Sequence, residues 1–190
     1  LAHRGIETHV VDPNPWALAD TADPDIVEWV ESDWREMGVQ LHYNTTLTEF
    51  LGSGGKVTGV RTDQGEIDCD LVVVATHKTP HTVLAKAAGL EIGTTGGIVV
   101  GGDMSTSAPD VWAAGDCVEV VHGATRVPLQ GLTGSHAYNQ GKVAGFNAGS
   151  GAGGKQYSPV YVPWGMLAAN RMIGGVSLGE TLAASLGLPH

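Results

Sequence analysis

The chain has 190 residues, the length of one ordinary domain or slightly more. It carries 10 basic and 20 acidic residues, for a net charge of −10 and a pI near 5.0. That balance excludes a protein that follows nucleic-acid phosphates with a basic stripe. Apolar residues make up 42% and charged residues 16%, so the chain has the means to bury a core and is not disordered. The longest apolar run, Leu71 to Ala75, is far too short to span a membrane, and no signal-peptide pattern is present. Two cysteines, Cys69 and Cys117, cannot build a disulfide framework and point to a reducing, cytoplasmic compartment. The 28 glycines follow no collagen-like period, so they mark turns and close backbone approaches.

Leu1 to Gly5 reads as the tail of a helix closed by a glycine cap, so the chain reads as a fragment. Ile6 to Val11 is then a strand, stopped by Asp12-Pro13-Asn14-Pro15. Asp23-Pro24 pairs an N-cap with proline in the first helical turn. Ile26, Val30, Trp34 and Met37 follow at helical spacing as one apolar face, and Gly38 ends the helix. Val39 to Tyr43 alternates as a strand. Leu47–Phe50, Lys56–Thr62 and Glu66–Asp70 read as an antiparallel meander that turns at Asp63-Gln64-Gly65. Leu71 to Ala75 is continuous and β-branched, as expected of a strand buried on both faces.

A short helix over Thr82–Ala88 closes at Gly89. Ile98–Val100 reads as a strand, Thr106–Pro109 as a turn and Val111–Ala114 as a second buried strand. Ser135–Ala148 is helical in pattern despite Gly141 and Gly145. Residues 149–154 form a glycine-rich boundary, Tyr157 to Trp164 opens a new segment, and 179–186 is a last helix.

Two tempting motifs fail on context. Gly149, Gly151 and Gly154 match a dinucleotide fingerprint, and Gly154-Lys155 matches part of a phosphate loop. Both motifs need a strand before and a helix after, so that a helix N-terminus meets phosphate. Here a helix precedes, and Gln156 replaces the hydroxyl that would bind magnesium. His77 and His81 have metal spacing, but Pro80 lies between them and no further ligand completes a set; they read as a surface loop, with no metal.

Two features carry chemistry. Asp12 ends a strand, where in a dinucleotide fold a carboxylate accepts both ribose hydroxyls; it is equally a turn residue before Pro13. Val111 to Asp116 places Gly115 and a carboxylate at a strand's carboxyl end, where α/β sheets bind ligands.

With their spacing, a longer series of segments resembles a known family. Val73 to His81 resembles the pattern A-T-G-x-x-P-N. Ala88-Gly89-Leu90, Gly96 to Val100, Met104 to Ser107 and Ala113 to Cys117 follow in order. Pro128-Leu129 and Asn139 to Gly145 continue the series. The chain is similar to the FAD- and NAD(P)-dependent pyridine nucleotide-disulfide oxidoreductases, within them to the NADH oxidase and coenzyme A disulfide reductase branch. His77 stands where that family has glycine, and neither cysteine matches its redox cysteine.

The resemblance implies an α/β fold in parts. Residues 1–78 would be the remainder of a Rossmann-like NAD(P)-binding domain with its β-meander. Residues 79–150 would be the C-terminal part of an FAD-binding domain, 151–156 a linker, and 157–190 the beginning of an α+β dimerisation domain. It implies FAD and NADH as cofactors, with Asp12, Ala75, Thr76, Gly115, Asp116, Gly134, Ser135 and His136 against them. The parent enzyme would take hydride from NADH to FAD and pass electrons to a disulfide, persulfide or oxygen, as a homo-oligomer. A reductase for a partner redox protein, a ferredoxin or rubredoxin, is the alternative. The 190 residues alone are expected to be inactive.

Overall fold

The computed structural model describes the chain apart from residues 20, 77, 130–132, 151–153, 159, 177–178 and 189–190 and the side chain of Leu182. The fingerprint-like Gly151 and the loop residue His77 therefore lie outside the described residues. The chain forms two compact units, residues 1–75 with 163–190, and residues 76–162.

The first unit opens with a 3-10 turn at Ala2–Arg4, closed by Gly5 in the left-handed region at φ 71°. Strand β1 (Thr8–Val11) pairs in parallel with β2 (Val39–His42), and helix α1 (Pro24–Glu36) makes the crossover between them. A parallel pair needs such a crossover, and this is the β-α-β grammar expected from the sequence. Strands β3 (Leu47–Ser53), β4 (Lys56–Thr62) and β5 (Gly65–Asp68) form the expected antiparallel meander. Its first hairpin turns through Gly54 and Gly55, at φ 60° and 79°, a conformation that a β-carbon disfavours.

The inward face of α1 differs from the apolar face read in the sequence. Val27, Val30 and Glu31 are the buried positions, while Ile26 is 46% exposed. Val27 joins Ala17 and Ala22 in a core against which Trp16, Trp34, Tyr43 and Trp164 pack. The reason is polar. Glu31 accepts a hydrogen bond from the Ala17 amide at 3.1 Å and another from Arg35 at 2.8 Å. These bonds pin the loop after β1 onto the helix. Burial, then the Glu31 carboxylate, pushes the Tyr43 hydroxyl well above its ordinary pKa, so it stays neutral inside the cluster. Glu31→Ala leaves the Ala17 amide without an acceptor and is expected to cost about 2 kcal/mol. Arg35 is half exposed, so its share of that loss is the smaller one. Urea unfolding of the full-length protein checks this; a shift below about 0.5 kcal/mol, the size of an ordinary surface substitution, contradicts it.

Strands β9 (Pro163–Ala168) and β10 (Arg171–Val176) form an antiparallel hairpin, and α4 (Glu180–Ser185) follows. Arg171 grips Asp33 of α1 through two bonds of 2.8 and 3.1 Å. Asp23 heads α1, yet its carboxylate caps α4, accepting from the Glu180 and Thr181 amides at 2.7 and 2.9 Å. Those backbone donors hold Asp23 below the usual carboxylate range.

Leu71 to Ala75 is not a strand in the structure. The segment is irregular, with Leu71, Val73 and Val74 each more than 60% exposed. A strand exists only with a neighbour to bond, and no described strand runs beside this one.

In the second unit α2 (Val83–Ala87) leads to Gly89, at φ 76°. Strand β6 (Ile98–Val99) pairs in parallel with β7 (Val118–Val121), which pairs antiparallel with β8 (Pro128–Leu129). Helix α3 (Gly134–Ser150) is the longest element. The core gathers Val118, Val120 and Val160, with Ala113, Leu129 and Tyr157 packed against them. Val111–Ala114, expected as a buried strand, makes a single bridge between Trp112 and Ser105. Bonds from Thr106 to Val111 and from Ala113 to Met104 fold it onto its own preceding turn, and the regular strand begins later, at Val118. Among the described residues no helix is long and apolar enough to cross a membrane.

Candidate functional site

In the first unit Asp12 follows directly on β1. Its amide donates to the His42 carbonyl at 3.0 Å and its carbonyl accepts from Thr45 at 3.1 Å, so the backbone extends the parallel pair by one step. One carboxylate oxygen accepts the Asn14 amide at 2.9 Å. Asp12 thus does form the turn, but a carboxylate offers about four acceptor positions, and this turn uses one. Ala75 and Thr76 are exposed and flank the division between the two units.

The second unit brings the remaining sequence candidates together. Gly115 has φ 91°, a backbone conformation that glycine tolerates and other residues rarely adopt. Its amide donates to the Gln140 side-chain oxygen at 2.8 Å. A β-carbon on Gly115 would meet the Ala137 methyl at 3.7 Å, so this turn lies against the start of α3. Asp116 is therefore displayed from a turn fixed by the helix that begins with Gly134, Ser135 and His136. Its carboxylate is 57% exposed and faces the Lys78 ammonium at 3.5 Å. An ion pair this exposed contributes less than about 1 kcal/mol, so Lys78 does not lock the carboxylate away.

The first turn of any helix leaves backbone N–H groups without intrahelical acceptors and concentrates positive potential there. Thr133 precedes this turn and bonds the Ser135 hydroxyl at 2.8 Å. His136 bonds the Tyr157 hydroxyl through Nδ1, with the rings edge to face at 6.3 Å. Three buried donor or acceptor atoms of this unit have no hydrogen-bond partner among the described residues: Trp112 Nε1, His136 Nε2 and Gln140 Nε2. Buried polar atoms are nearly always satisfied, so each of these atoms calls for an explanation.

Gln140 and Tyr157 escaped the sequence reading as site residues. Gln140 is 1% exposed, yet its type belongs on surfaces. The legible signal was the polar stripe His136, Gln140 and Asn147, which runs with Val143 along one face of α3. Tyr157 carried no comparable signal. The other histidine of the pair with metal spacing, His81, is exposed, and no group of metal-ligating side chains occurs among the described residues.

Comparison with known proteins places the chain in a family. The family described as pyridine nucleotide-disulphide oxidoreductase matches residues 1–141. The chain is 37% identical over 147 residues to an NADH oxidase of Methanocaldococcus jannaschii, covering 77% of this chain and 32% of that one. It is 34% identical over 158 residues to a CoA-dependent NAD(P)H sulfur oxidoreductase of Pyrococcus furiosus, covering 80% and 33%. Among solved structures, an FAD-dependent pyridine nucleotide-disulphide oxidoreductase from Desulfovibrio vulgaris aligns with TM-score 0.90 at 31% identity, over 96% of this chain and 46% of that one. The chain spans about a third of the length of the curated relatives it matches. The α/β architecture expected from the sequence is that of these structures, and the chain belongs to the pyridine nucleotide-disulphide oxidoreductase family.

Proposed function

We propose that this chain is part of a flavoenzyme that takes hydride from NADH to FAD and passes electrons to a disulfide, a persulfide or oxygen. The observation that carries the reading is the Gly115–Asp116 turn, held by Gln140 against the first turn of α3. A flavin brings ribityl hydroxyls, which need acceptors, and a pyrimidine edge rich in carbonyl oxygens, which needs donors. Asp116 supplies an accessible carboxylate, and Gln140, which holds the same turn, has a buried Nε2 without a partner among the described residues. The residues present fit the group.

In this reading Asp116 holds a ribityl hydroxyl, and the N–H groups of Gly134, Ser135 and His136 face the pyrimidine edge. The positive end of α3 stabilises negative charge that develops there. Asp12 accepts the ribose hydroxyls of NADH, and Ala75 and Thr76 line the cofactor path. The flavin, when bound, supplies the hydride and electron chemistry; the protein supplies position and electrostatics. We assign residues 1–78 to the NAD(P)-binding domain, 79–150 to the FAD-binding domain, 151–156 to a linker and 157–190 to a dimerisation domain. We further place a homo-oligomeric parent in the cytoplasm, where the free Cys69 and Cys117 would stay reduced.

Spectroscopy of the full-length protein tests the proposal. It should purify with a flavin absorption band that bleaches on anaerobic addition of NADH and returns with a disulfide, a persulfide or oxygen. A protein without flavin, or a flavin indifferent to NADH, refutes it.

A further inference from the structure

One face of α3 changes character along its length. Towards its C-terminal end Asn147 is fully enclosed and fully bonded: its amide nitrogen donates to the carbonyls of Asp103 and Lys155 at 2.9 Å, and its oxygen accepts the Lys155 amide at 2.9 Å. Towards the N-terminal end, at helical spacing on that face, Gln140 and His136 are each half bonded. Gln140 accepts from Gly115 and His136 meets Tyr157, while Nε2 of each is buried without a partner among the described residues. The protein completes its hydrogen bonding at one end of the stripe and leaves it open where the stripe meets the Gly115–Asp116 turn.

The Tyr157 hydroxyl determines what His136 offers. Tyr157 is anchored by its own amide, which donates to the Gly102 carbonyl at 2.7 Å, and by its ring in the Val118–Val120–Val160 core. Burial raises its pKa, so the side chain remains a phenol with one proton to give. Its bond to Nδ1 is the hydroxyl's one hydrogen bond among the described residues. When the phenol donates, Nδ1 must be the bare nitrogen, and the neutral imidazole carries its proton on Nε2.

We propose that Tyr157 is a positioning residue that fixes His136 as the Nε2–H tautomer, making that side chain a hydrogen-bond donor to a carbonyl-rich ligand edge at the start of α3. The identity of the ligand as flavin rests on the function proposed above; the tautomer does not. A hydroxyl that accepted from Nδ1–H instead would leave its own proton and the Nε2 lone pair both unpartnered, the costlier arrangement in a buried site.

The test uses the full-length protein labelled with nitrogen-15 at histidine. Proton–nitrogen spectra should show His136 protonated at Nε2, and Tyr157→Phe, which keeps the ring, should move proton population to Nδ1. Flavin affinity should fall roughly tenfold in Tyr157→Phe, the size of one hydrogen bond. His136→Gln retains an N–H₂ donor, so it should keep most of the affinity and make a second Tyr157→Phe change nearly silent. An Nδ1–H tautomer in the parent overturns the proposal, as does a Tyr157→Phe protein with unchanged tautomer and affinity. A protein that lacks flavin but shows the Nε2–H tautomer and its loss in Tyr157→Phe supports the positioning role and rejects flavin as the ligand.

Discussion

Asp116→Ala is expected to weaken flavin binding by the full-length protein. The carboxylate stands on a turn that the fold takes care to fix, with Gly115 at φ 91° and its amide bonded to an enclosed glutamine. A hydroxyl bonded to a charged acceptor contributes about 1.5–3 kcal/mol, which corresponds to roughly 10- to 150-fold in dissociation constant. The ion pair with Lys78 is exposed, so its loss accounts for less than about 1 kcal/mol and cannot produce an effect of that size. Asp116→Asn, which keeps an acceptor and removes the charge, should fall between the parent and alanine. The flavin-to-protein ratio after purification, followed by titration of the apoprotein with FAD, measures the effect. Unchanged affinity in Asp116→Ala removes Asp116 from the site.

Full-length protein should prefer NADH to NADPH by about a hundredfold or more in kcat/KM. Asp12 presents a carboxylate at the end of β1, oriented by the Asn14 amide. In the proposed role ribose hydroxyls would donate to it, whereas a 2′-phosphate would meet it as a like charge, a juxtaposition that costs several kcal/mol. The next residues, Pro13, Asn14, Pro15 and Trp16, supply no cation to offset that repulsion. Asp12→Asn is the informative variant. Its side-chain oxygen can still accept the Asn14 amide, so the turn survives while the charge goes. The preference should narrow mainly through better use of NADPH. Steady-state kinetics with both cofactors measures this, and a parent that uses NADPH equally well would falsify the role given to Asp12.

The sequence by itself determined the elements whose causes are local. Alternation in β2, the proline and glycine that bracket α1, and the turn at Asp63-Gln64-Gly65 all act within a few residues. So does the strand-end position of Asp12. The ordered series of short segments from Val73 to Gly145 likewise sufficed for the family, since it depends on residue order and not on contacts.

Tertiary structure decided the matters that depend on a distant partner. Leu71–Ala75 has a strand's composition, but hydrophobicity does not reveal whether a neighbouring strand is there to bond it, and the segment stays exposed. Glu31 lies outside the apolar face read from the helical spacing, and the Ala17 amide, fourteen residues earlier, and Arg35 give its charge a reason to be buried. The pairing of Gln140 with Gly115, and of His136 with Tyr157, joins residues 25 and 21 positions apart. No periodicity encodes such a bond. A buried polar side chain is stable only where the fold brings it a partner, so its role becomes readable when the chain has closed around it.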